Sequence, residues 1–323
     1  MPVLATWIDR LAAAGPHTDG RRITHFLDRT DELGAVGSEL PCKTPLTAVG
    51  VITVTGADAR SFLHGQLTAD LRAVTAGQSV LTAWCSPKGR VLFLLRVLVS
   101  EVGFHLLLPV DQSAACTQRL RMYALRAAVA IDDTSADRGV LLLRNLPIDA
   151  HTGDRLIAAG TDAMHWCVGD MDALASQWQA LAGHPRGEDA AALDAIRNGL
   201  PSLEASLAEA FLPQEIDLDR HAGISFEKGC YPGQEIVARV RFRGSVKRRL
   251  ARLNGVLGSP LAAGHRIVAA GTETAVGTVL DSVALGSGQV ELLAVLDVEA
   301  GDVCVHGRSD QVLERQPLPI PER

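Results

Sequence analysis

The residue types most able to do chemistry are concentrated in one short segment, residues 228–235, with the sequence KGCYPGQE. It combines a thiol, an amine, an amide and a carboxylate. Pro232 and Gly233 predict a tight turn, because proline fixes φ and glycine tolerates left-handed conformations. We therefore expect Cys230 to lie on a bend. Residues 234–242 begin to alternate apolar with polar side chains, which predicts that this turn leads into a half-exposed strand.

Cys230 is open to three interpretations: a reactive thiol, a transient cluster or metal ligand, and a structural residue. Lys228 and the arginines after the motif would stabilise a thiolate, which favours a functional thiol. One thiol cannot hold an iron–sulfur cluster, which commonly takes about four protein ligands, so a partner or small molecule would have to supply the others. The remaining cysteines lie singly, without a C-x-x-C pair, and we expect them to be small buried side chains: Cys42, Cys85, Cys116, Cys167 and Cys304.

The other motif residues have two interpretations each. Lys228 is either an anchor for a phosphate or carboxylate or a solvated charge beside the turn. Tyr231 either stacks on a ligand or fills an interface between lobes, and the second is favoured. Gln234 and Glu235 either bind a ligand or fix the loop by bonding its backbone, and the loop-fixing role is favoured.

The net charge of −6 opposes non-specific binding of nucleic acid, which needs an excess of positive charge. One local exception follows the motif, with six basic residues and no acid between them: Arg239, Arg241, Arg243, Lys247, Arg248 and Arg249. On the predicted strand, alternate arginines would share one face and meet an anionic tail or phosphate, or simply face solvent. Apolar runs such as residues 91–99 are too short to span a membrane. Residues 1–15 do not resemble a signal peptide, so we expect a cytoplasmic protein.

The predicted strands and helices that position the motif indicate an α+β body. Periodicity predicts strands over residues 49–55, 79–85, 91–100, 104–110, 129–132 and 140–144. It predicts one helix that begins after Asp58, which caps it, and further helices over residues 111–125, 171–182 and 189–198. In the helix over residues 111–125, Leu120, Tyr123 and Leu125 are expected to face inward. Residues 16–48 predict an irregular lead-in after a short N-terminal helix, so that the folded body begins near Ala48.

From Leu250 onward, short apolar segments separated by regular glycines predict a small β-barrel or sandwich. Residues 316–321 are rich in proline and predict a tail lying along the surface. These patterns divide the chain into residues 1–47 as the N-terminal helix and irregular lead-in, 48–243 as the α+β body, and 244–323 as the barrel and tail.

The motif is similar to the K-G-C-Y-x-G-Q-E signature of the YgfZ family, folate-dependent iron–sulfur cluster maintenance proteins related to the glycine-cleavage T-protein. Residues 65–70 (GQLTAD), 211–214, 223–226 and 317–319 resemble further family segments, so the similarity covers residues 48–323. It implies two α+β lobes and a C-terminal β-barrel in a three-lobed arrangement around a central pore, with a tetrahydrofolate site there. It also implies iron–sulfur client enzymes or assembly proteins as partners.

Two departures from the related patterns bear on function. Phe93 and Leu94 stand where T-proteins carry the acids of their catalytic hairpin, and an apolar side chain cannot assist proton transfer. Arg197 stands where an acid usually contacts the pterin, and a guanidinium offers donors only. Pterin binding at Arg197 is then weakened or remodelled, or Arg197 engages the glutamate tail of folate.

The leading hypothesis is a folate-binding accessory factor that supports iron–sulfur cluster assembly or repair in client enzymes. Radical tRNA methylthiotransferases are among the clients that the family suggests, so the effect on tRNA modification would be indirect, without direct binding of nucleic acid or membrane. One alternative is a folate-dependent one-carbon transferase or demethylase using a different base. Another is a thiol-redox module centred on Cys230, which predicts rapid alkylation at neutral pH.

Overall fold

The computed structural model describes residues 2–146, 156–161 and 164–319. They form two compact units, residues 1–82 with 95–191, and residues 83–94 with 192–323. The helices are α1 (Pro2–Arg10), α2 (Arg29–Gly34), α3 (Ala59–Gln66), α4 (Val110–Tyr123), α5 (Met171–Ala180), α6 (Glu188–Arg197) and α7 (Gln234–Arg243). Short 3-10 helices cover Ala12–Ala14, Ala205–Leu207 and Pro213–Ile216.

The strands of the first unit, together with the hairpin that leaves it, are β1 (His17–Thr18), β2 (Ile23–His25), β3 (Cys42–Pro45), β4 (Val49–Thr55), β5 (Ser79–Cys85), β6 (Val91–Val99), β7 (Phe104–Pro109), β8 (Ala130–Asp133), β9 (Arg138–Arg144), β10 (Leu156–Thr161), β11 (Met164–Asp170) and β12 (His184–Pro185). Those of the second unit are β13 (Arg248–Val256), β14 (Arg266–Ala269), β15 (Ala275–Gly286), β16 (Gln289–Asp297), β17 (Val303–Val305) and β18 (Arg308–Gln316).

The first unit is built on two five-stranded sheets. One runs in the order β10-β11-β9-β3-β12 and the other in the order β5-β6-β7-β4-β8. Apolar side chains from both sheets, among them Val51, Leu107, Val140 and Val168, form one buried cluster. The second sheet is inserted in sequence between β3 and β9, so the strands of the first sheet come from both sides of it along the chain.

Helices cover the outer face of the first sheet because their apolar residues recur at helical spacing. Trp7 of α1 is fully buried, with Leu4 and Leu11 one turn away on either side. These residues pack in a single cluster with Met171 and Leu174 of α5. Burying side chains of this size contributes about 1.5–3 kcal/mol each, which holds both helices in place.

The second unit contains the predicted C-terminal barrel. Its six strands close in the order β13-β16-β15-β14-β17-β18, and β18 pairs back with β13. Alternate residues of β16 (Val290, Leu292, Ala294 and Leu296) point into the interior cluster. Alternation of this kind is expected of strands around one core, and it agrees with the all-β segment that the regularly spaced glycines predict. The α+β class with a C-terminal β-barrel is therefore confirmed, and the exact domain bounds stay a prediction.

The strand predicted for residues 234–242 is wrong, because this segment forms helix α7. Glutamine, glutamate, alanine and arginine favour a helix, and Gly233 ends the preceding turn in a left-handed conformation at φ 81. Of the α7 residues, Val237 alone is buried, so the apparent alternation does not reflect a buried face. The three arginines at 239, 241 and 243 consequently do not share one face of a strand.

The irregular lead-in predicted for residues 16–48 is also wrong. Strand β3 lies between β9 and β12, and its Lys43 is buried. The Lys43 ammonium donates to the carbonyl oxygens of Trp178 and Leu181, at 2.5 and 2.8 Å, so this polar strand occupies an interior position. Tertiary contacts far along the chain make this possible, and the local pattern does not show them.

Two smaller predictions, which concern individual side chains of helices, are wrong. Tyr123 and Leu125 are 50% and 87% exposed, although Leu120 is fully buried as predicted. Asp58 precedes α3, but its carboxylate accepts the backbone N–H of Ala128 instead of capping the helix. Residues 317–319 follow β18 without regular structure, and the rest of the predicted tail lies outside the described residues.

Candidate functional site

The motif loop is anchored to the tip of the β5–β6 hairpin. A Cβ at Gly233 would lie 2.5 Å from the carbonyl oxygen of Ser86 and 2.6 Å from Cα of Gly89. Only glycine fits such a backbone-to-backbone approach, and its φ of 81 is also in the glycine-favoured region. On its other side the hairpin bonds the segment before the motif, because the backbone groups of Val91 exchange hydrogen bonds with residues 209 and 211. The hairpin tip thus fixes the end of the Cys230 loop.

Cys230 is exposed, whereas the other five cysteines are buried, as the sequence predicts. Burial raises the pKa of the thiols of Cys85, Cys116 and Cys167 to about 12, so these stay protonated at neutral pH. Cys230 is therefore the thiol that an outside molecule can reach.

Lys228 lies under the loop and is not a solvated charge, so that alternative is wrong. Its side chain is buried, and the ammonium lies 5.1 Å from the ring centroid of Tyr231. Tyr231 is buried as well, and its burial and the nearby Cys85 raise the pKa of its phenol. Both buried side chains therefore anchor the loop. The Lys228 ammonium belongs to the residue two positions before the exposed Cys230.

Gln234 bonds the backbone of the loop, through a carbonyl rather than through the N–H groups that the sequence predicts. Its side-chain amide donates to the backbone carbonyl of Lys228 at 3.4 Å. Glu235 is exposed in the first turn of α7, where a negative charge stabilises the helix terminus. A ligand-binding role for Lys228, Tyr231, Gln234 or Glu235 stays a prediction.

The family resemblance places Phe93 and Leu94 where T-proteins carry catalytic acids, and neither side chain has a carboxylate. Phe93 and Leu94 are buried, and the Phe93 ring stacks on Trp84 with centroids 5.8 Å apart. These side chains are packed into the interior of the second unit. They cannot give or accept a proton, so this segment does not support proton transfer of the T-protein kind.

Arg197, at the end of α6, pairs with a buried carboxylate that the sequence analysis missed. Its Nε and Nη2 atoms lie 3.2 Å from the two carboxylate oxygens of Glu291. Arg252 bonds the same carboxylate, with its Nε 2.5 Å from Oε1. Glu291 is thus committed to two arginines, and this group does not offer the acceptor that a pterin needs.

A second set of ion pairs connects the segment before the motif to β13. Arg248 pairs with Glu215 at 2.8 Å, and Arg249 pairs with Asp217 at 2.6 Å and with Asp219 at 2.7 Å. The basic run predicted from the sequence is therefore divided into two parts. Arg248 and Arg249 are structural, and the remaining four basic residues are exposed.

Within the described residues, no cluster of three or more His, Cys, Asp or Glu side chains is placed to hold a metal ion. In the same part of the chain, no helix is both long and apolar enough to cross a lipid bilayer. An exposed cysteine on a fixed loop is the main chemical feature that the motif presents.

The fold is that of a glycine-cleavage T-protein aminomethyltransferase. The solved structure of aminomethyltransferase T of the glycine cleavage system from Bartonella henselae superposes with a TM-score of 0.71, covering 97% of this chain and 96% of that one. The two sequences are 14% identical, so this likeness concerns the fold alone.

Sequence comparison identifies the family. The chain is 33% identical over 307 residues to the tRNA-modifying protein YgfZ of Enterobacter sp. (strain 638), which covers 86% of this chain and 94% of the relative. It is 32% identical over 308 residues to the protein of that name from Yersinia pseudotuberculosis serotype IB (strain PB1/+), covering 85% of this chain and 92% of the relative. The chain belongs to the YgfZ family. No protein-family model matches it.

Proposed function

We propose that this protein is a tetrahydrofolate-binding accessory factor of the cytoplasm that supports assembly or repair of iron–sulfur clusters in client enzymes. Its effect on tRNA modification is indirect, through clients that modify tRNA. The curated relatives named tRNA-modifying protein YgfZ support the link to tRNA. The family signature around Cys230 supports the link to clusters.

The observation that carries this function is the exposed Cys230 on a loop fixed at its base. Lys228 and Tyr231 are buried beneath the loop, and Gly233 is locked against the hairpin tip. Such anchoring presents the thiol to an approaching partner in one position, which lowers the entropic cost of the encounter. Because one thiol cannot hold a cluster, the client or an assembly protein supplies the other ligands.

The packed apolar hairpin argues against the alternative of an aminomethyl transferase. Phe93 and Leu94 are buried where the T-protein mechanism needs acids. Tetrahydrofolate is part of the proposed function because the family resemblance implies it, although Arg197 and Glu291 do not offer a pterin acceptor. Calorimetric titration with tetrahydrofolate tests this part: saturable binding supports it, and no binding removes folate while leaving the role of Cys230 intact.

The role of Cys230 is tested in cells that lack the gene. Wild type, Cys230→Ser and Glu227→Gln are expressed at equal levels, and the methylthiolated fraction of tRNA nucleosides is measured by mass spectrometry. Glu227 is exposed on the same loop, so Glu227→Gln is a matched control. We expect the wild type and the control to restore the modification and Cys230→Ser to fail. Full restoration by Cys230→Ser would overturn the proposed function.

A further inference from the structure

Helix α7 carries an exposed group of basic residues, which we call the α7 basic face: Arg239 and Arg243 one turn apart, Arg241 on the neighbouring side against Phe226, and Lys247 just beyond the helix. Within the described part of the chain, none of these four side chains forms an ion pair. By contrast, Arg248 and Arg249, which follow directly, are satisfied by acids. Four basic residues without an ion pair thus stand in one short segment of a protein whose net charge is −6.

Apolar side chains are exposed within the same face. Phe242 is 69% exposed and Ile236 is 36% exposed. Arg239, Phe242 and Arg243 are spaced three and four residues apart, so they lie on the same side of the helix, opposite the buried Val237. An exposed aromatic ring flanked by arginines is the composition that marks the energetic centre of many protein interfaces.

Part of this face is already ordered. The Phe242 ring meets Phe226 edge to face, with centroids 6.1 Å apart. The Arg241 guanidinium lies 5.5 Å from the Phe226 centroid. These contacts restrict the side chains before any partner arrives, so less conformational entropy is lost on binding. The helix also begins four residues after Cys230, so the face and the thiol belong to one continuous segment of the chain.

We propose that the α7 basic face is a docking surface for an acidic protein, which offers carboxylates to the arginines and an apolar recess to Phe242. This surface deepens the proposed function and rests on it, because a protein docked on α7 brings its own cluster ligands towards Cys230. The acidic character of the partner follows from charge complementarity.

The composition of the face favours a protein over an RNA. The face presents one exposed ring, Phe242, whereas a strand of RNA needs several rings on which successive bases can stack. Ile236 gains free energy from burial in an apolar recess, whereas it has no ring on which a base could stack.

Two fluorescent probes test the docking surface by anisotropy with the full-length protein at about 150 mM salt, where exposed charges are screened beyond about 8 Å. One is a synthetic peptide of alternating glutamate and leucine, and the other is single-stranded oligouridine of the same net charge. We expect the peptide to bind more tightly than the RNA. Arg239→Glu/Arg243→Glu is expected to weaken peptide binding about tenfold or more, and Phe242→Ala several-fold.

The control is Arg126→Glu/Arg266→Glu, which changes the net charge equally at two exposed arginines elsewhere. It is expected to change peptide affinity less than about twofold. Tighter binding of oligouridine, no peptide binding, or equal loss in the control would overturn the docking surface. In cells, Arg239→Glu/Arg243→Glu is expected to lower tRNA methylthiolation. If Arg239→Glu/Arg243→Glu gave normal methylthiolation while Cys230→Ser was defective, the docking surface would be refuted and the proposed function would stand. If Cys230→Ser also gave normal methylthiolation, the proposed function itself would be refuted.

Discussion

Gly233→Ala is expected to separate the motif loop from the hairpin tip that holds it. The new Cβ would meet the carbonyl oxygen of Ser86 at 2.5 Å and Cα of Gly89 at 2.6 Å, and both are backbone atoms that move little. The left-handed φ of 81 costs alanine about 1–2 kcal/mol. Overpacking against backbone adds about 1–3 kcal/mol. The sum is a loss of about 2–5 kcal/mol in the free energy of unfolding.

Two further glycines separate these contributions. At Gly286, φ is 106 but no heavy atom lies within 4 Å of the Cβ that alanine would add, so Gly286→Ala isolates the backbone cost of about 1 kcal/mol. At Gly229, within the motif itself, the space is open and φ is not left-handed, so Gly229→Ala is expected to be neutral or slightly stabilising. Urea denaturation measures all three. If Gly233→Ala lost no more stability than Gly286→Ala, the close approach to the hairpin would be refuted.

Three more predictions concern other parts of the molecule. Burial raises the pKa of Glu188 to about 7 from its usual 4.5, so its contribution to stability is full below about pH 4.5 and is lost as pH rises through 7. Glu188→Gln should therefore reduce the change of melting temperature between pH 5 and 8. An unchanged dependence of melting temperature on pH would contradict the raised pKa. Arg249→Met leaves the fully buried Asp217 without its nearest cation and should lower the free energy of unfolding by about 3 kcal/mol, whereas Arg266→Met, at an exposed arginine, should cost less than about 0.5. Iodoacetamide should label one cysteine in the native protein, Cys230, and all six after denaturation, as counted by mass spectrometry; a second fast-reacting native thiol would show that the described burial is wrong.

The sequence predicts best the elements whose side chains alternate or recur over long stretches. Strands β5 and β6 follow from two apolar runs that flank a turn sequence, and the barrel follows from short apolar segments separated by regular glycines. The burial of five cysteines and the exposure of Cys230 follow from composition and motif context. In each case the local pattern and the tertiary environment agree.

The sequence fails where a distant partner decides the environment. Residues 234–242 alternate weakly between apolar and polar side chains, and this alternation wrongly predicts a strand. In the folded chain their helix propensity outweighs it, so they form α7. Lys43 can be buried in an interior strand because its ammonium donates hydrogen bonds to carbonyl oxygens more than a hundred residues away. Glu291, likewise, follows Arg197 by 94 residues, and no local signal joins the two. Such pairings become visible only when the chain is folded.

Repair of a client enzyme in a purified system tests the central claim most directly. An oxygen-damaged radical tRNA methylthiotransferase is incubated anaerobically with iron, sulfide and reductant, and the recovery of its cluster absorbance is followed over time. Wild-type protein is expected to accelerate recovery, and Glu227→Gln to do so equally, whereas Cys230→Ser should leave the rate at that of the client alone. Equal acceleration by Cys230→Ser would contradict the account, because the exposed thiol would then have no part in the function.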